Sequence, residues 1–105
     1  MSTEAARRTA GLLHDGRVRG TSLAPGVAGR VSPDAPDVVK INRTSELGNV
    51  FLTDQLGEAL VHEGRHVDQL KGKAAGKEAA DYIKANKKKL EDDAIDYESK
   101  NYKKP

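Results

Sequence analysis

His62, Glu63 and His66 stand in the order H-E-x-x-H, preceded by the apolar run Ala59-Leu60-Val61. On a helix, positions i and i+4 project from one face, roughly 5–6 Å apart. Two imidazoles spaced in this way can share one Zn²⁺, and Glu63 then lies beside the open coordination position as a candidate general base. The chemistry this predicts is metal-assisted hydrolysis. Zinc makes a water more acidic, and Glu63 takes the water's proton and passes it to a leaving nitrogen.

A catalytic zinc site needs three protein ligands and an open position, so a third donor must come from elsewhere. The chain has no cysteine, which removes every thiolate and leaves histidine and carboxylate. The extended string H-E-x-x-H-x-x-G-x-x-H is not met, because its glycine and final histidine positions hold Gln69 and Gly72. His14 lies far upstream beside a loop and is a poor candidate. The remaining source is the acidic run Glu91-Asp92-Asp93-Ala94-Ile95-Asp96-Tyr97-Glu98. Glu91 is favoured, because Ala94 lets a second helix approach while the carboxylate reaches across. Glu98, Asp93 and Asp96 stay open as alternatives. Tyr97 and Tyr102 are available to stabilise an oxyanion. Asp68 is a candidate to orient a metal-bound histidine, and Arg65 reads as exposed.

These residues require elements to hold them. Thr53 or Asp54 caps a helix running to about Leu70 or Lys71, where Gly72 stops it. Its core face comprises Leu56, Ala59, Leu60, Val67 and Leu70. A linker-like turn over Lys71–Lys77 leads to a long helix from about Glu78 to Asn101, with Ile83, Leu90, Ala94 and Tyr97 on one stripe. Upstream, residues 4–14 read as a helix with Thr3 as N-cap, broken by Asp15-Gly16. Gly16 to Pro36 is rich in glycine and proline and reads as loop or short irregular strand, with weak pairing over Val18–Leu23. Asp37–Arg43 is the best strand, with β-branched residues at Val38, Val39 and Ile41, and it offers an open edge for an extended peptide. Asn42–Asn49 reads as a turn, and Val50-Phe51-Leu52 as a second short strand or packing anchor. The fold class is α+β: an N-terminal helix, a short sheet, the motif helix and a long C-terminal helix.

With 105 residues the chain is a single domain, and with 36% apolar and 4% aromatic residues its core must be small and aliphatic. A domain of this kind gains stability from a bound metal or a partner. The net charge of +2 gives no case for nucleic acid. Arginine is confined to residues 7–65, and lysine, Lys40 apart, begins at Lys71. The lysines of the last third alternate with acids, as on a solvated helix face. The sequence holds no apolar run of the roughly 18 residues a membrane span requires, and no signal-like segment. Work outside the producing cell would need a carrier system.

The block Ala59-Leu60-Val61-His62-Glu63-Gly64-Arg65-His66-Val67-Asp68 resembles the L-V-H-E-G-x-H-x-x-D block of small zincin-like metallopeptidase domains at the C-termini of bacterial polymorphic toxins. Glu91–Glu98 is similar to the E-x-x-A-x-x-Y-E-like segment that supplies the glutamate ligand in that gluzincin-type group. The resemblance covers residues 37–100. It implies a minimal zincin-like fold, His62, His66 and Glu91 as zinc ligands, and Glu63 as base. It also implies a protein or peptide substrate, delivery into a target cell, and an immunity or inhibitor protein as partner. The competing expectations are a non-catalytic interaction module whose metal only staples the fold, and a stand-alone minimal peptidase.

Overall fold

The computed structural model of the chain describes residues 1–42 and 53–102. In chain order these form α1 (Thr3–His14), β1 (Val18–Thr21), β2 (Gly29–Ser32), β3 (Ala35–Asn42), α2 (Thr53–Gln69) and α3 (Lys77–Asn101). The protein is a small α+β domain. The expected strand or anchor at Val50–Leu52, and the side chains of the proposed caps Thr53 and Asp54, lie outside the described residues.

Helix α1 begins one residue earlier than the sequence suggests, because the cap is Ser2 rather than Thr3. The Ser2 Oγ accepts the Ala5 N–H at 3.1 Å, satisfying one of the first-turn donors. Ser2 also ties the start of α1 to the end of α3. Its N–H donates to the Asn101 carbonyl at 2.7 Å, and its hydroxyl to Asn101 Oδ1 at 2.9 Å. The helix stops at Asp15-Gly16, where Gly16 takes a φ of +69° that glycine adopts without a Cβ penalty.

The sheet has the order β1-β3-β2, with β1 parallel and β2 antiparallel to β3. β2 lies in the segment read as loop or short irregular strand and takes the second form, whereas the open edge expected of β3 is not found. β3 is the central strand, paired on both sides, and the outer positions belong to β1 and β2. β3 takes the centre because, among the described strands, it alone has enough apolar side chains to be buried. Val39 and Ile41 point into the core, while Val38 and Lys40 on the other face stay half-exposed. The hairpin joining β2 to β3 turns at Pro33-Asp34, with Ser32 opposite Ala35 and a register shift between Arg30 and Ser32.

Asn42, which falls in both the expected strand and the expected turn, ends β3 with only 1% of its surface exposed. Its amide accounts for the backbone of the loop before β2. Nδ2 lies 2.8 Å from the Val27 carbonyl and 3.2 Å from that of Ala24, and Oδ1 accepts the Leu23 N–H at 3.1 Å. The buried polar side chain is tolerated because its amide is hydrogen-bonded to loop peptide groups on both its nitrogen and its oxygen.

Helix α2 lies across the sheet. Ala59, Leu60 and Val67 pack with Leu12 of α1 and with Val39 and Ile41. Leu70, just past the helix, is buried as expected. Leu56 is not a core residue, being 37% exposed, and Val61 takes a buried place that the pattern did not give it. Gly64 allows α1 to close on α2, since a Cβ there would stand 3.3 Å from Leu12 Cδ1. Gly72 follows with φ +83°, the stop expected from the sequence.

Helix α3 bends at Asn86, whose φ of −124° leaves the helical range and whose Nδ2 donates to the Tyr82 carbonyl at 2.9 Å. A side chain competing for the backbone ladder is a recognised cause of such a kink. Beyond it, Leu90, Ala94 and Tyr97 are buried, whereas Ile83 before it is only half-buried. Ala94 has no exposed surface and lets α3 lie close to α2. No described helix is long and apolar enough to cross a membrane.

Candidate metal centre

One turn of α2 separates His62 from His66, and their ring centroids stand 5.0 Å apart. Both side chains are largely covered, at 14% and 16% exposure. The kinked, close-lying α3 brings Glu91 over them. Its Oε1 lies 2.8 Å from His62 Nε2 and its Oε2 3.1 Å from His66 Nε2. One donor atom from each residue falls within 4.8 Å of the others, which makes a group able to hold a metal ion. Two imidazole nitrogens and one carboxylate oxygen form a donor set suited to zinc. Glu91 is half-exposed, so the group opens on solvent on its α3 side.

The outer nitrogen of each imidazole also has a partner. His62 Nδ1 is 3.0 Å from Glu98 Oε1, and His66 Nδ1 is 2.7 Å from Gln69 Oε1. Glu98 is held above the usual carboxylate range by burial and by a hydrogen bond with Glu58, one turn before His62. These contacts distribute the acids of the 91–98 segment. Glu91 joins both histidines, and Glu98 reaches only the far side of His62. Asp93 accepts from Arg65 Nε at 2.8 Å and from Gln69 Nε2 at 2.7 Å, while Asp96 pairs with Lys100 at 2.9 Å.

Glu63 lies between α2 and the sheet rather than facing open water. Burial raises its carboxyl above the ordinary value of 4.5, and the neighbouring His62 and His66 only partly oppose the shift. Its Cγ rests on β2 at Gly29, where an added Cβ would come within 3.1 Å. The outer edge of β2, unpaired among the described strands, therefore runs beside Glu63.

The other candidate residues lie apart from this group. Tyr97, expected as an oxyanion donor, is a core residue packed with Ala5 and Val61. Its ring is flanked by the Arg8 and Arg65 guanidinium groups at 5.1 and 4.8 Å, and its buried hydroxyl finds no hydrogen-bond partner among the described residues. Tyr102 packs on Gly57, where a Cβ would meet its ring and hydroxyl at 3.0 Å. Asp68 does not orient a histidine, since it pairs with Arg8 Nε at 2.6 Å. Arg65 is only partly exposed and is committed to Asp93. His14 is 90% exposed beside Asp15. Lysines of α3 form i,i+4 pairs, Lys77 with Asp81 and Lys88 with Asp92, as on a solvated face.

Gln69, Gly29 and Glu58 escaped the sequence reading. Gln69 and Glu58 had a signal, standing one helical turn after His66 and one before His62 on the motif helix. Gly29 had none, because its role exists only once β2 lies against α2. No protein-family model, curated protein or solved structure matches the chain.

Proposed function

We propose that the protein is a zinc-dependent peptidase of the gluzincin type, built on a minimal zincin-like fold. The observation that carries this reading is the convergence of His62 Nε2, His66 Nε2 and Glu91 on one point, with Glu63 on the same helix turn. His62, His66 and Glu91 would hold the ion. Bound there, zinc supplies Lewis acidity, lowering the pKa of a water toward about 7 and polarising a carbonyl.

The chain's own residues do the rest. Glu63 removes a proton from the attacking water and returns it to the leaving nitrogen. Its raised proton affinity brings it closer to the neutral range in which a base of this kind works best. Glu98 and Gln69 keep the two imidazoles from turning. An extended peptide is accommodated by pairing with the edge of β2 that is unpaired among the described residues, which carries its backbone past Glu63. Tyr97 is a packing residue in this scheme and serves the reaction only by supporting α3.

The substrate class is protein or peptide. The block around His62 and the segment from Glu91 support a toxin module delivered into a target cell by a carrier system and restrained in its producer by an immunity protein. The decisive variant is Glu63→Gln. It retains zinc and the fold and loses hydrolysis of an unfolded protein substrate by several orders of magnitude. Equal hydrolysis by wild type and Glu63→Gln would remove the catalytic reading and leave a metal-stapled interaction module.

A further inference from the structure

Gln69 touches both a histidine of the metal group and the helix carrying Glu91. Its carboxamide is fully engaged. Nε2 donates to the Leu90 carbonyl at 2.9 Å and to Asp93 Oδ2 at 2.7 Å, and Oε1 faces His66 Nδ1 at 2.7 Å. An amide has two donors on nitrogen and acceptor capacity on oxygen alone. Reversing the group would set the oxygen against a carbonyl and a carboxylate, and would leave an NH₂ facing the imidazole. The network therefore permits one orientation, in which Oε1 accepts and His66 Nδ1 must carry the proton.

Asp93 is held in turn. Arg65 grips it through Nε at 2.8 Å and a second nitrogen at 3.3 Å, and the Arg65 guanidinium lies over the Tyr97 ring at 4.8 Å. This bidentate pair makes Asp93 a fixed post rather than a mobile surface acid. Leu90 immediately precedes Glu91, so the same carboxamide also sets the separation of α2 and α3 at the third donor.

We propose that Gln69 is a positioning residue that locks His66 as the Nδ1–H form and thereby presents Nε2 to the metal group, fixing it relative to Glu91. The proposal rests on the zinc reading for its purpose, but its physical content is the state of one imidazole proton. Gln69 acts through His66 and Leu90 and touches no reacting atom. Partners on the outer nitrogen of a metal-binding histidine typically change metal affinity by about 10–100-fold.

The test uses the full chain labelled with ¹⁵N at histidine, as wild type, Gln69→Leu and Gln69→Glu, with and without added zinc. Proton NMR follows the His66 Nδ1–H, and chelator competition gives the zinc affinity. In the wild type the Nδ1–H is protected from exchange and visible in both samples. Gln69→Leu has no acceptor, so the resonance is lost to exchange with water and zinc affinity falls about 10–100-fold. Gln69→Glu keeps an acceptor for the Nδ1–H and restores the resonance, together with most of the affinity. A purely structural role predicts instead that Gln69→Glu, which faces Asp93 with a second carboxylate, is at least as damaging as Gln69→Leu. That result, or an unchanged Nδ1–H in Gln69→Leu, overturns the proposal. A wild type that shows the protected proton but takes up no zinc would overturn the zinc reading while leaving the positioning of His66 standing.

Discussion

Residue 29 approaches Glu63 because it has no side chain, and replacing it gives a measurable consequence. A Cβ added there would stand 3.1 Å from Glu63 Cγ, 3.2 Å from the Lys40 carbonyl oxygen and 3.3 Å from Ile41 Cδ1. The Lys40 oxygen belongs to the central strand and cannot withdraw without disturbing the ladder. The Ile41 methyl can rotate away. Relief therefore comes from shifting Glu63, or from lifting β2, by a few tenths of an ångström. Overpacking of this kind costs about 1–3 kcal/mol. Removing a strand glycine offsets it by roughly 0.5–1 kcal/mol. The net loss for Gly29→Ala is then ~1 kcal/mol, a fall in Tm of roughly 4–8 °C for a domain of this size. If the proposed function holds, displacement of Glu63 has a larger effect on hydrolysis, up to about 100-fold if it approaches 1 Å. Thermal unfolding, zinc content and peptide hydrolysis are to be measured on the same preparation. The expected pattern is a lower Tm, unchanged zinc, since the nearest neighbours of a Cβ at residue 29 are Glu63, Lys40 and Ile41 rather than His62, His66 or Glu91, and slower hydrolysis. A variant with unaltered Tm and full turnover would refute the packing of β2 on Glu63.

Other perturbations follow from the same contacts. Asn42→Ala removes the side-chain partner of the Leu23 N–H and of the Ala24 and Val27 carbonyls, of which the Ala24 carbonyl keeps the Val27 N–H. It should cost ~2–3 kcal/mol in urea unfolding and speed hydrogen exchange at Leu23, and a loss below ~0.5 kcal/mol would contradict the role given to Asn42. Asp93 is held down to about 2, against an ordinary 3.8, by hydrogen bonds from Arg65 and Gln69. A carboxyl lowered in the folded state contributes stability above its unfolded pKa and loses it as the pH falls through the folded value. Because its side chain is 41% exposed, solvent screening leaves ~1 kcal/mol or less of this contribution. Wild type should therefore exceed Asp93→Asn in stability by about that amount at pH 7 and lose most of the difference near pH 2, and a gap that persists in acid would contradict the assignment.

Much of the architecture could be read from periodicity alone. The apolar spacing of α2 and α3 placed both helices within a residue or two, and Gly16 and Gly72 marked helix ends where positive φ is required. The His62–His66 spacing and the Glu91 segment gave the candidate ligands for the same reason, since helical geometry converts sequence distance into direction. The misreadings have physical causes. Gly29–Ser32 holds one β-branched residue, so β2 carries no strand pattern of its own and forms only against β3. Asn42 looks like a turn residue because its burial depends on a loop nearly twenty positions away. Tyr97 is buried on one stripe with Leu90 and Ala94, as their spacing implied, and no spacing signal stood behind the oxyanion role. Leu56 follows the helical period but lies at the beginning of α2, where the described residues do not cover it.

The central claim is that His62, His66 and Glu91 together hold one zinc ion. Zinc titration by calorimetry, with metal content measured on the same samples, tests it most directly. The account predicts one equivalent bound by the wild type, loss of binding in His62→Ala, His66→Ala and Glu91→Ala, and retained binding in Asp96→Ala, whose carboxylate is paired with Lys100. A folded wild type that takes up no zinc, or a Glu91→Ala variant that binds it as tightly as the wild type, would contradict the claim.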